Sequence, residues 1–153
     1  MLTPRKIAEN KEAMHLDIHT IEDRLRQFAE FRCEISALYL FGSVLLKDNP
    51  EDIDIAVLVD PKKIESSIYP VRYVGSLITD LMDVLQSEKV DVVFLNNASP
   101  VICMQVLRKG KILYERDPHA LAEFSMRAIG RYHDLKMVRK PIEQQILNGR
   151  IYG

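Results

Sequence analysis

Two short apolar runs flank a polar turn. Ala37 to Phe41 is the first, ended by Gly42. Ile53 to Val59, rich in β-branched residues, is the second. Asp48, Asn49 and Pro50 signal a turn between them, so the stretch reads as strand, turn, strand. Before it, residues 3 to 31 read as helical, with Thr3 as cap and Pro4 in the first position. Ile18, Ile21, Leu25, Phe28 and Phe31 form the apolar stripe of that helix. A second helical pattern runs from Val71 to Glu88, with Val71, Val74, Ile78, Leu81 and Leu85 on one side. Lys89 to Leu95 then reads as a strand.

The last third of the chain is marked by caps. Ser99-Pro100 opens a short helix that Gly110 stops, and Lys111 to Glu115 reads as an edge strand. Asp117-Pro118 opens a final helix whose stripe is Leu121, Phe124, Ala128, Tyr132 and Leu135. The pattern predicts that Pro141 ends it near Lys140. Residues 142–153 carry too little pattern to place, but Ile146, Leu147 and Ile151 after a basic stretch suit docking on a partner. These elements predict an α/β fold: a mixed β-sheet of three to four strands with helices mainly on one face. They fit one domain over residues 1–153, with a core over 32–116 and a helical segment over 117–153.

The polar residues inside this pattern carry the chemistry. In a strand of period two, Asp52 and Asp54 project from one face and Ile53 and Ile55 from the other. Two carboxylates side by side at the start of a buried strand repel each other and resist desolvation. A divalent cation is the simplest partner, and oxygen ligands beside a phosphate substrate suit Mg²⁺. Gly42 lets the backbone turn and approach a ligand closely, and Ser43 adds a hydroxyl donor to the free N–H groups of the next turn. Lys47 is near enough in sequence to add a positive charge. Asp91 stands within an otherwise apolar strand, where an acid needs a reason.

Gly42-Ser43 followed by Asp52-x-Asp54 on the next strand resembles the nucleotidyltransferases of the DNA polymerase β superfamily. The short chain is similar to their minimal, MNT-type members, among them the antitoxins of HEPN/MNT toxin–antitoxin pairs. The resemblance implies transfer of AMP from ATP, with Mg²⁺, to a hydroxyl, the acceptor being a tyrosine of a HEPN-type toxin. It implies that Asp52 and Asp54 hold metal and that Gly42, Ser43 and Lys47 hold nucleotide. Asp91 matches the third carboxylate of the family, which shares metal and accepts the acceptor's proton. The spacer from Val44 to Glu51 is shorter than is usual in the family. That keeps two alternatives open: an antitoxin that inhibits by binding alone, and a transferase for small molecules.

Bulk properties narrow the classes. A net charge of −1 gives no general attraction to nucleic acid. Cys33 and Cys103 make neither a disulfide framework nor a zinc pattern, and both read as buried thiols of a protein in the reducing cytoplasm. No apolar run approaches the length of a membrane span, and the first residues do not read as a signal peptide. A homo- or hetero-oligomer is compatible with all of this.

Overall fold

The computed structural model describes residues 17–45 and 52–148. The expected cap at Thr3-Pro4, Lys47 and most of the spacer lie outside them. Within the described residues, α1 (Ile18–Glu30) starts at Asp17, whose carboxylate accepts the Thr20 N–H at 2.7 Å. Then follow β1 (Ile35–Phe41), a 3₁₀ turn (Gly42–Leu45) and β2 (Ile53–Val59). Next come α2 (Val71–Leu85), β3 (Val90–Phe94), α3 (Pro100–Lys109), β4 (Lys111–Glu115) and α4 (Pro118–Leu147).

The strands form one mixed sheet in the order β3-β2-β1-β4. β1 pairs antiparallel with β2 and with β4, as a hairpin and an edge strand should. β3 pairs parallel with β2, which needs a long crossover, and α2 supplies it.

Helices cover both faces, not mainly one. On the first face α1 and α2 bury Leu25, Leu77 and Leu81 against Leu38, Leu40, Ile55 and Val57. On the second, α3 and α4 bury Val106, Leu121 and Phe124 against Ala37, Tyr39, Ala56 and Leu58. The reason is in β1 and β2 themselves: their runs are apolar on both sides, so neither face can be left to solvent.

Four further expectations shift. The core side of α2 is Tyr73, Leu77, Leu81 and Leu85, while Val71 is 81% exposed. Tyr73 wins the inward place because its hydroxyl donates to Glu34 at 3.2 Å while its ring packs near Phe94. Phe31 lies just past the end of α1 and is exposed, not part of its stripe. Pro141 does not end α4, which continues to Leu147. Proline removes one N–H, here the one that would bond the Met137 carbonyl, and on this exposed stretch water replaces it. Cys103 is buried as expected, but Cys33 is exposed.

Candidate active site

β1 and β2 bring Phe41 opposite Asp54, so the turn after β1 lies against the start of β2. Gly42 there has φ +78°, the left-handed region. A Cβ on Gly42 would collide with the Asp54 carboxylate. Only glycine satisfies both constraints, and the result is a backbone turn pressed against an acid. The Gly42–Leu45 turn follows, with Ser43 in its second place.

Asp52 lies one residue before β2, near enough for its charge to act on the Asp54 carboxyl. Asp54 has the parity of Ala56 and Leu58, so it faces the side covered further along by α3 and α4. Asp91 is the register partner of Asp54 across the parallel ladder. Register partners on adjacent strands project from the same face, about 4.8 Å apart at the backbone. Asp54 and Asp91 therefore share one face at one end of the sheet, with Asp52 just ahead of β2. Asp52 and Asp91 are exposed and Asp54 is partly buried.

Burial, then the charges of Asp91 and Asp52, push the Asp54 carboxyl above its ordinary value. Among the described residues none of the three has a cationic partner. The other face of the same sheet end shows the contrast. There the buried Glu22 carboxylate takes the Lys111 ammonium at 2.7 Å, and Lys111 pairs with Leu40 in the sheet. Glu22 thus has a counter-ion within the chain, unlike the three acids among the described residues. An all-oxygen donor set of this charge fits a hard divalent cation. As placed, the described acids are not yet gathered into a closed group of three around an ion.

A cavity of about 530 Å³ lies elsewhere, at the opposite end of the sheet, with Asp60, Lys62, Asn96, Arg127 and Arg131 in its lining. Two residues there carry structural work that single-sequence reading missed. Arg116 donates to the carbonyls of Ile35, Ala29, Glu30 and Arg32. The Asn96 side chain both accepts from the Val59 N–H and donates to the Val59 carbonyl, each at 2.9 Å, as one more rung beside β2.

The family pattern "Polymerase beta, Nucleotidyltransferase" matches residues 23–119. The chain belongs to this nucleotidyltransferase family. The match takes in all four strands, the Gly42-Ser43 turn and the three acids. Among curated relatives, the protein adenylyltransferase MntA of Aphanizomenon flos-aquae (strain 2012/KM1/D3) is 28% identical over 120 residues, 74% of this chain and 79% of that protein. A crystal structure of a toxin–antitoxin with AMP-PNP superposes with a TM-score of 0.64 at 28% identity. It covers 82% of this chain and 98% of the matched one. A tri-AMPylated Shewanella oneidensis HEPN toxin in complex with its MNT antitoxin gives 0.63 at 28% identity, covering 84% and 98%.

Proposed function

We propose that this nucleotidyltransferase is an adenylyltransferase antitoxin, moving AMP from ATP to a tyrosine hydroxyl of a HEPN-type toxin. The observation that carries it is the meeting of the Gly42 turn with Asp54 and its register partner Asp91. The close approach of the Gly42 backbone to one acid, with a second acid in register beside it, supports this reading. The likeness to an MntA adenylyltransferase and to an AMPylated toxin complex supports the choice of nucleotide and acceptor.

In this reading the triphosphate lies along Gly42 and Ser43, held by backbone N–H groups and the Ser43 hydroxyl, with Lys47 adding charge. Asp52, Asp54 and Asp91 would hold Mg²⁺, which when bound neutralises phosphate charge and polarises the α-phosphorus. The acceptor oxygen bonds to the α-phosphorus, the bond from that phosphorus to the bridging β-phosphate oxygen breaks, and pyrophosphate leaves. Asp91 accepts the proton of the acceptor hydroxyl. Its exposure suits an acceptor that arrives from outside. In this reading the toxin presents its tyrosine to the acids from outside the chain. The cytoplasm is the compartment that fits two unbridged cysteines.

The short spacer favours one other reading, inhibition by binding alone. Intact mass spectrometry separates the two. The chain is mixed with ATP, Mg²⁺ and the HEPN-type toxin encoded beside it. A gain of one or more AMP units on the toxin, lost with Asp52→Asn, is expected. Toxin inhibition with no mass gain would establish the blocking module instead.

A further inference from the structure

The row of residues with which α4 closes the core continues where the core has ended. Leu121, Phe124 and Ala128 are buried on the sheet. Leu135, Ile142 and Ile146 follow at spacings of seven or four, so all six lie along one side of the helix. Leu135 is partly buried, Ile142 is 49% exposed and Ile146 45% exposed. Val138, beside them, is 63% exposed. One stripe therefore has a packed half and an open half.

The course of α4 says where the open half points. It starts next to Glu115, which pairs with Ala37 at the sheet end remote from Gly42. At Tyr132 it has reached Arg108, whose guanidinium lies 5.5 Å from the ring centre. Arg108 is in the last turn of α3, just before Lys111, which pairs with Leu40 near Gly42. Leu147 is fifteen residues further on, roughly 22 Å of helix. The open half thus runs on toward the sheet end that holds the three acids, and on the face of Asp54 and Asp91. Lys136, Arg139 and Lys140 stand three and four apart along one flank of it. From Arg131 to Asn148 only Asp134 and Glu143 oppose the four cations.

We infer that residues 135–147 are the docking arm for the protein acceptor, seated in an apolar groove of the toxin with an acidic rim. The partner's identity rests on the proposed function. The charge argues against a second copy as the occupant, because two such arms side by side would set cations against cations. An acceptor gripped on this arm is held toward the acids, which positions its hydroxyl for the reaction.

Two sets of substitutions test it, all at exposed positions. Val138→Asp with Ile142→Asp removes the apolar contact, and Lys136→Glu, Arg139→Glu and Lys140→Glu together reverse the flank. Binding of the toxin is measured by calorimetry, ATP binding likewise, and AMP transfer by initial rates. The expected result for both variants is at least about a tenfold rise in Kd and KM for toxin. The transfer rate at saturating toxin and the affinity for ATP stay at the parent's values. The charge variant should also lose most of the salt dependence of binding. Toxin binding by the double variant equal to the parent's overturns the arm while leaving the transferase reading intact. A parent that is dimeric by sedimentation and a double variant that is monomeric, with equal toxin affinity, would give the arm to a second copy. Arm-dependent binding with no AMP transfer by the parent upholds the arm and rejects the transferase.

Discussion

The two ends of the sheet are built on opposite terms. At the far end, loose polar groups are closed off within the chain: Arg116 takes four carbonyls, Asn96 takes both polar groups of Val59, and Asp117 caps α4. The Asp60 N–H returns to the Glu34 carbonyl at 2.8 Å. At the near end, a left-handed glycine is pressed on a carboxylate, and Asp54 shares a face with Asp91. The far end is where hydrogen bonds hold the strands in register. On the acid face the near end retains negative charge, the condition a bound cation can relieve. Separation of these tasks lets the site be poor in stability without endangering the fold.

That contrast can be broken most severely at Gly42. In Gly42→Val the side chain meets Asp54 and the left-handed backbone costs about 1–2 kcal/mol. Transfer should fall to background, with a lowered denaturation midpoint. Activity near the parent's would mean that the turn does not approach the nucleotide.

At the other end, Arg116→Ala should leave chemistry alone and weaken the fold. Four carbonyls lose a charged donor, and about 2–3 kcal/mol is the expected loss in urea denaturation. Transfer per folded molecule should match the parent. A drop in turnover with stability unchanged would show that the ends are not independent.

The smallest effect has the opposite sign. The Asp54 carboxyl is raised in the folded state, so its ionised form opposes folding once the pH is above the ordinary value of 3.8. Asp54→Asn should therefore raise the melting temperature at pH 7. The gain should shrink as the pH falls through the raised value and vanish below 3.8, where the acid is neutral in both states. Mg²⁺ with ATP should reverse the order of parent and variant. A variant that melts lower at neutral pH without ligand would deny the charge conflict.

Local signals carried much of this into the sequence. The β-branched run of Ile53 to Val59 and the cap-proline pairs Ser99-Pro100 and Asp117-Pro118 gave β2, α3 and α4 their starts. The apolar run around Asp91 put that acid on β3. Tertiary choices were hidden. Tyr73 displaced Val71 because Glu34, far off in the chain, offered its hydroxyl a partner. Which acids have counter-ions was equally invisible: nothing near Glu22 in sequence announces Lys111. The continuation through Pro141 depends on that part of α4 being bare, which only the packed structure reveals.

Asp91 comes from an edge strand. β3 has five residues and, among the described residues, is bound only by β2. Edge strands open by local fluctuations that cost far less than unfolding the whole chain. An opening of β3 would separate Asp91 from its register partner Asp54. Amide hydrogen exchange along β3 counts such openings directly. A partner or nucleotide that slows exchange there without touching β4 is holding the site together, and does so by stilling one rung of a ladder.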